Sequence, residues 1–420
     1  MAIAASKPFS VGIRVPTVST MPTVQDESDT YTLWGWTVLG GANPIYNSGT
    51  GLVGSSVDIH GDTEGDDVWA NLQAYNRRTS GRDGYLQRAT AWRNYYVNSF
   101  EGSTEYANDA QSFGCDHFYG WGLQDYATQF GDAGAAAEAL KICMAVHDLW
   151  ATLQGGTWPV PGNFRMAHFG HRGGARNLRT AVAIADATGD AKAIELRDRL
   201  IDLWLQSPDW DNANGMYWVA EDQMGYYNLV PPLSYAAGDR AVGTFHIGIL
   251  AEAFFAAWLS PNVTPARKTA LRSKIVAMAT WMRANGLDPT YRYSSTTLGI
   301  RGSGGAWWNY SFASPATFWD GSYTISIVNL LVMGYKFTGD STFLAGAASN
   351  GHYPAQYCFN RGTKMIYGSP TAREFADNVV GNFVDTRFDS SSGNVSFGYN
   401  KGALQYTYLI FENGGAPTVL

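Results

Sequence analysis

The sequence is poor in cysteine and in charge. Among 420 residues there are three cysteines, Cys115, Cys143 and Cys358, and their odd number and wide spacing argue against a disulfide framework or a zinc knuckle. Only 15% of the residues are charged, 45% are hydrophobic, and the formal net charge is −7. Such a chain folds around a large core, and its acidic balance offers no basic patch for nucleic acid.

Long hydrophobic runs are also missing. No stretch of about 18 apolar residues occurs, so no membrane span is expected. The N-terminal stretch MAIAASKPFSVGIRVP lacks the continuous apolar segment of a secretory signal. The sequence therefore predicts a cytoplasmic protein, or one that is released by lysis or carried in a particle.

Aromatic residues, in contrast, are abundant. The chain has 15 Trp, 24 Tyr and 20 Phe. A large core uses part of this set, and the rest is expected at a partly exposed binding surface. Trp and Tyr rings suit the C–H faces of sugars, so a carbohydrate ligand is one interpretation, and gap-filling between helices is the other.

Four short turns with a shared pattern are the most informative feature. Each places a glycine after one helical pattern and before the next, at Gly81, Gly131, Gly189 and Gly339. The glycine suits a left-handed helix C-cap, and an aspartate that follows it suits the N-cap of the next helix. The pattern predicts repeated helical hairpins.

The two helices of each hairpin differ in character. The first helices are apolar nearly all round, as expected for an inner layer, and the second helices carry charge on one side, as expected for an outer layer. The predicted inner helices span 62–78, 115–130, 172–188, 240–259, 320–337 and 401–411. Connections from inner to outer helices are short, whereas those from outer to inner helices are long, so the long ones share one face of the molecule.

This arrangement resembles the (α/α)6 toroid of many glycoside hydrolases, polysaccharide lyases and sugar epimerases. The resemblance covers residues 60–411 and implies an all-α ring with long loops and small β-hairpins on one face. We expect two such hairpins, at 215–228 and 387–398. Residues 1–60 are rich in Thr, Ser, Gly and Pro and are predicted to form an extended arm on a toroid domain of residues 61–420.

Polar residues cluster where the inner helices begin, at the end whose dipole favours anions. His171 with Arg172 is the strongest candidate, because His168, Arg172, Arg176 and Arg179 share one helical face. The arginines either recognise a sugar carboxylate or sulfate, or form a structural network with Asp66, Asp67 or Asp116. The other candidates at inner-helix starts are Trp121, Arg240, His246 and Tyr323.

Acidic residues at the same ends have two interpretations each. Asp116 with His117 is either an acid/base pair or an N-cap beside a structural histidine, and Asp320 has the same ambiguity. Asp66 and Asp67 fit first-turn acids better than hydrolytic carboxylates. The His168-x-x-His171 spacing lacks a third ligand, so no metal and no other cofactor is predicted.

The segment 301–319 combines a glycine run with Trp307, Trp308, Asn309, Tyr310 and Trp319, and we expect it to form a cleft wall or lid. Its Trp-Trp-Asn piece, together with Asp320-Gly321-Ser322-Tyr323, resembles segments of toroid lyases that act on uronate polymers. The resemblance implies an Asn that neutralises the uronate carboxylate and a Tyr or His that moves the C5 proton. Asn309, Tyr310, His171 and Tyr235 are the residues available for these roles.

The sequence thus favours a polysaccharide lyase with an anionic polysaccharide as its partner. A glycoside hydrolase that uses Asp116 and Asp320 is the main alternative. An epimerase that uses His171 and His246 is a third, and a glycan-binding or particle protein that associates through the N-terminal arm is a fourth. In a structure, two carboxylates that face each other across open space would favour hydrolysis, whereas a Tyr–His–Arg–Asn cluster around one point would favour elimination.

Overall fold

Inner and outer helices alternate along the chain. The computed structural model describes residues 46–47, 52–53, 65–77, 83–98, 120–166, 170–220, 240–286, 307–311, 318–319, 324–343 and 418–420. In this part of the chain the inner helices are α1 (Gly65–Arg77), α3 (Gly120–Phe130), α5 (Gly170–Thr188), α7 (Thr244–Leu259) and α9 (Thr324–Thr338). The outer helices are α2 (Asp83–Asn98), α4 (Ala133–Thr152), α6 (Ala191–Gln206) and α8 (Pro265–Trp281), which continues as a π-helical turn at Met282–Gly286.

The helices pack as two concentric layers. Each inner helix from α1 to α9 lies beside the next inner helix, and each outer helix lies against the inner helix that precedes it. This is the arrangement of an (α/α)6 toroid, so the predicted fold class is confirmed. The sixth predicted inner helix, 401–411, and the predicted hairpin at 387–398 lie outside the described residues.

The hairpin turns have the predicted chemistry. Gly131, Gly189 and Gly339 have φ values of 68°, 68° and 71°, in the left-handed region where glycine alone is unstrained. At two of these turns the preceding threonine repeats the same contacts: its hydroxyl donates to the carbonyl four residues back and accepts from the amide two residues on. The repeat seen in the sequence is therefore a repeat of hydrogen bonds.

Large aromatic side chains fill the space between the layers. Trp92, Trp150, Trp204 and Phe254 are each less than 2% exposed. Cys143 is also buried among them, and burial raises the pKa of its thiol to about 12. Core packing by aromatics, the simpler of the two interpretations of the composition, therefore accounts for many of these residues.

The described strands are short. The strands β1 (Tyr46–Asn47) and β2 (Leu52–Val53) pair with each other, and β2 lies beside α2. A hairpin is formed by β3 (Trp210–Asp211) and β4 (Met216–Tyr217). Further along are β5 (Val219–Ala220), β6 (Arg240–Gly243), β7 (Trp307–Ser311) and β8 (Phe318–Trp319), which form one antiparallel sheet in that order. The division into an arm and a toroid domain stays a prediction.

One helix boundary differs from the sequence prediction, and one predicted hairpin stays untested. Residues 221–228 of the hairpin expected at 215–228 lie outside the described residues. The described hairpin, β3–β4, turns just before Gly215, where the Asp211 carboxylate accepts from the amides of Ala213 and Asn214 and Gly215 has a φ of 65°. The fourth inner helix begins at Thr244 and not at Arg240, because residues 240–243 pair with β5 and β7. Among the described helices, none is long and apolar enough to cross a membrane.

Candidate active site at the inner helices

The sheet β5–β8 lies where α7 begins. Strand β6 ends at Gly243 and α7 starts at Thr244, so the sheet leads directly into an inner helix. In the register of β6 with β7, Gly243 faces Asn309 and Val242 faces Tyr310. The sheet is therefore attached to the N-terminal, electropositive end of α7.

Several of the predicted site residues occupy this one sheet. Arg240 is on β6, and Trp307, Trp308, Asn309 and Tyr310 are on β7. Trp319 is on β8, directly opposite Trp307. His246 follows in the first turn of α7 and is half-buried. The sequence placed these residues in two separate segments, and the strand pairing joins the segments.

A second cluster, centred on Arg179, lies between the inner helices. The Arg179 guanidinium carbon is 4.4 Å from the ring centroid of Trp69 on α1 and 4.5 Å from that of Trp121 on α3. One of its nitrogens lies 3.6 Å from the carboxylate of Glu252 on α7. The Glu252 carboxylate in turn accepts from the Asn329 side-chain amide on α9. We call these residues, together with Asp125, the lumen cluster.

The lumen cluster is close to the long-loop face. Trp121 and Asp125 are in the first two turns of α3, and Asn329 is in the second turn of α9. Arg179 and Glu252 start one turn deeper, but side chains on a helix point back toward its N-terminus. The cluster therefore lies near the N-terminal ends of the inner helices.

Asp125 is the carboxyl of the lumen cluster whose pKa is shifted. Its side chain accepts a hydrogen bond from Trp69 and lies within electrostatic reach of Arg179. Burial raises the pKa of Asp125 to about 6, although the Arg179 charge and the Trp69 hydrogen bond both act to lower it. The residue remains half-buried, while Glu252 is 4% exposed. A buried carboxyl with a raised pKa beside a cation and an indole is a candidate functional group.

His171, the strongest candidate from the sequence, is placed differently. It is 1% exposed, with its ring against Trp204 of the outer helix α6 and against Tyr217. Among the described residues neither ring nitrogen has a hydrogen-bond partner, and burial lowers its pKa to about 3. These contacts favour a neutral core histidine, and the catalytic role stays a prediction.

The remaining predicted residues divide into two groups. Arg172 is half-buried, Arg176 is 3% exposed, and Trp121 is 3% exposed with Arg179 over its ring. The other candidates lie outside the described residues, and these are Asp116, His117, His168, Tyr235, Asp320 and Tyr323. Asp66 and Asp67 are in the first turn of α1. Within the described residues, no three His, Cys, Asp or Glu side chains are grouped as a metal site.

Sequence reasoning missed four members of the lumen cluster, Trp69, Asp125, Glu252 and Asn329. A signal was present, because Glu252 and Asn329 are isolated polar residues in apolar helices. A buried polar group in such a setting requires a partner, so each of them pointed to a contact with a neighbouring inner helix.

Comparisons with known proteins find similarity in structure. No protein-family model matches the chain, and no curated protein matches its sequence. A sugar epimerase from a ruminal bacterium has 10% identity and a TM-score of 0.54, over 92% of this chain and 98% of the epimerase. A polysaccharide lyase has 12% identity and a TM-score of 0.51, over 91% and 96%. A cellobiose 2-epimerase from Bacillus thermoamylovorans has 11% identity and a TM-score of 0.50, over 92% and 99%. The chain therefore has the toroid fold that these sugar-acting enzymes share.

Proposed function

We propose that this protein is a carbohydrate-active enzyme, and specifically a polysaccharide lyase that cleaves a uronate-containing polysaccharide by β-elimination. The fold supports the broader part of the proposal, since the similar structures include a lyase and two sugar epimerases. Fold alone does not select a reaction, so the choice of elimination rests on the residues at the site.

The observation that carries the proposal is the register of β6 with β7 at the start of α7. It brings the backbone of Asn309 opposite Gly243, with Tyr310 and Arg240 on the same two strands. Elimination needs a group that neutralises the uronate carboxylate and a base that removes the C5 proton. In the proposal Arg240, which this register puts on the same face of the sheet as Tyr310, neutralises the carboxylate, and Tyr310 is the base. The role of Asn309, at the neighbouring position of β7, remains a prediction.

The N-terminal end of α7 adds to the neutralisation of the uronate carboxylate. Its first amide groups carry the positive end of the helix dipole, next to the strand that holds Asn309. A carboxylate held there has more of its charge compensated, which makes the neighbouring C5–H more acidic. The tryptophans of β7 and β8 are proposed to carry the neighbouring sugar units. The roles assigned to Tyr235, His168 and Tyr323 remain predictions.

The test is to incubate the protein with alginate, polygalacturonate and hyaluronan, and with the neutral polymers dextran and xylan. Lyase action produces an unsaturated uronate that absorbs in the ultraviolet, together with new reducing ends. We expect Tyr310→Phe and Arg240→Ala each to lower kcat by roughly 100-fold or more. Ser311→Ala, on the same strand, is the matched control and should retain activity.

Other outcomes contradict the proposal in distinct ways. Reducing ends without ultraviolet absorbance indicate hydrolysis, and the acids Asp116 and Asp320 then become the residues to replace. No product from any polymer, with binding detected by calorimetry, indicates a glycan-binding protein. Interconversion of sugars without cleavage indicates an epimerase.

A further inference from the structure

The hairpin β3–β4 and the sheet β5–β8 are joined by a single residue. Strand β4 ends at Tyr217 and β5 begins at Val219, so Trp218 alone lies between them. Strand β5 is at one edge of the sheet, and the next two strands, β6 and β7, carry Arg240 and Tyr310 of the proposed site. A contact that fixes Trp218 therefore also fixes one edge of this sheet.

The hairpin itself is held against the outer helices. The Tyr217 hydroxyl donates to the backbone carbonyl of Trp204 on α6 at 2.6 Å. A Cβ atom added to Gly215 would lie 2.9 Å from the Cβ of Ala277, so the turn of the hairpin packs directly on α8. The hairpin therefore has little freedom to move relative to these two outer helices.

Trp218 is fixed both by its ring and by its backbone. The ring packs edge-on against that of Trp281, the last residue of α8, with 5.2 Å between the ring centroids and 89° between the planes. The backbone amide donates to the carbonyl of Asp209, which extends the pairing of β3 with β4 by one position. Trp218 is buried, and an enclosed edge-to-face pair of rings has a defined geometry. The point where the hairpin meets the sheet is therefore held on α8.

Strand pairing transmits the position of Trp218 to the proposed site. Two residues after Trp218, Ala220 on β5 pairs with Arg240 on β6. Further along β6, Val242 pairs with Tyr310 on β7. Paired strands cannot slide past each other without breaking their backbone hydrogen bonds. A displacement of β5 therefore displaces the backbone of Arg240 and, through β6, that of Tyr310.

We propose that Trp218 is a positioning residue, which through its contact with Trp281 fixes the backbone of Arg240 and Tyr310 relative to the helices. This inference rests on the proposed function, in which those two residues neutralise the uronate carboxylate and remove the C5 proton. Trp218 takes no part in making or breaking bonds. Catalytic groups need to be held to within about 0.5 Å, and a displacement of about 1 Å is able to lower a rate by roughly 100-fold.

The experiment compares Trp218→Leu with Trp150→Leu, a matched control, in the full-length protein. Trp150 on α4 is also buried and also has an edge-to-face contact, with Phe164, so its replacement removes a ring of the same size from the core. We expect both replacements to lower thermal stability, and activity is measured at a temperature where circular dichroism shows both variants folded. On a uronate polymer that the wild type cleaves, kcat should fall roughly 10- to 100-fold in Trp218→Leu and less than about threefold in Trp150→Leu.

Hydrogen exchange of the backbone amides is a second readout and needs no substrate. Peptides that contain residues 240–243 and 307–311 should exchange at least about fivefold faster in Trp218→Leu than in the wild type, because β5 no longer holds its neighbours in place. The same peptides should keep their wild-type rates in Trp150→Leu. Trp218→Phe retains an aromatic ring against Trp281 and should recover most of the kcat and most of the protection from exchange.

The outcomes distinguish this inference from the proposed function. If the wild type cleaves a uronate polymer and Trp218→Leu cleaves it equally fast, the inference is wrong and the lyase function stands. Equal losses of kcat in Trp218→Leu and Trp150→Leu, or a Trp218→Phe variant no more active than Trp218→Leu, also contradict a positioning role. If the wild type shows no elimination on any uronate polymer, the proposed function fails and hydrogen exchange alone decides. Unchanged exchange in β6 and β7 of Trp218→Leu then shows that Trp218 does not hold the sheet, whereas faster exchange there shows that it does.

Discussion

Arg179 on α5 and Glu252 on α7 form an ion pair between neighbouring inner helices, with 3.6 Å between the guanidinium nitrogen and the carboxylate oxygen. Their side chains are 11% and 6% exposed. Glu252→Ala removes the carboxylate from a cation that is enclosed by two tryptophan rings. We therefore expect the free energy of unfolding to fall by about 3–5 kcal/mol, measured by urea denaturation followed by circular dichroism.

The control for this prediction is an exposed ion pair. Lys192 and Asp148 lie 3.0 Å apart, with side chains 53% and 63% exposed. Because water and salt screen such a pair, Lys192→Ala should cost less than about 1 kcal/mol. Equal losses from Glu252→Ala and Lys192→Ala would show that the buried pair has no special part in stability.

A second prediction concerns Lys274 on the outer helix α8. Its ammonium nitrogen is 3.6 Å from the ring centroid of Trp210, the residue is 8% exposed, and burial lowers its pKa from 10.5 to about 7. Between these two values the unfolded chain binds a proton that the folded chain releases, so the free energy of unfolding rises with pH across this window. Lys274→Met removes the free-energy cost of burying the charged ammonium group.

The measurement is the difference in stability between Lys274→Met and the wild type. We expect the variant to be more stable by a few kcal/mol near pH 6, with the difference shrinking toward about pH 10. Lys268→Met, on the same helix, is the control and should show a smaller and less pH-dependent difference. A Lys274→Met variant that is less stable at every pH would contradict the prediction and show that the ammonium group is stabilised by the rings.

A third prediction tests His171. Burial lowers its pKa from 6.5 to about 3, so the unfolded chain binds a proton in this range that the folded chain does not. The wild type therefore loses stability through this residue as pH falls below about 6.5, and His171→Phe should remove that part of the loss. Thermal melts of both proteins at several pH values measure the difference.

The same variant tests the catalytic interpretation. Because His171 is enclosed by Trp204 and Tyr217, we expect His171→Phe to retain polymer cleavage within about tenfold. A folded His171→Phe protein that has lost cleavage would instead support the role inferred from the sequence.

A fourth prediction concerns the aspartates that follow the turn glycines. Asp190 accepts hydrogen bonds from the amides of Lys192 and Ala193, and Asp132 accepts one from Ala135. Asp190→Ala should therefore cost about 1 kcal/mol, while Asp190→Asn should be nearly neutral since Asn caps equally well. Urea denaturation measures both.

Asp132 differs because Arg93 also binds it, with contacts of 2.7 Å and 2.6 Å. These hydrogen bonds hold the pKa of Asp132 below its usual range. Here Asp132→Asn should be destabilising at neutral pH, and the loss should vanish in acid, because stability from a depressed carboxyl pKa is lost as pH falls through the folded-state value. A neutral effect of Asp132→Asn at pH 7 would contradict the contribution of Arg93.

The local features of the fold were predictable from the sequence, and the long-range ones were not. Turn glycines such as Gly189 and Gly339 set the helix ends through their own backbone angles, so the hairpins could be placed from nearby residues. The sheet that joins β6 to β7 depends on pairing between segments about 70 residues apart, for which the sequence carries no local signal.

The candidate site was likewise predictable in its local features and not in its long-range contacts. Arg179 was recognised as one of a row of cations, but its partner Glu252 is 73 residues later and is reached only when the ring has formed. The surroundings of His171 were not predictable, because a position at a helix start does not say whether the side chain packs toward the inner or the outer helices. The contact of His171 with Trp204 of α6 depends on how α5 is oriented about its own axis, which is set by packing in the folded protein.

The Arg179–Glu252 pair also bears on how the chain is made. At a synthesis rate of about 5–20 residues per second, Glu252 follows Arg179 out of the ribosome by roughly 4–15 s. During that interval the nascent chain contains Arg179, which is largely buried in the folded protein, but does not yet contain its partner Glu252. We expect the first three hairpins to stay loosely packed until α7 arrives, so that protection from proteases is gained late in translation.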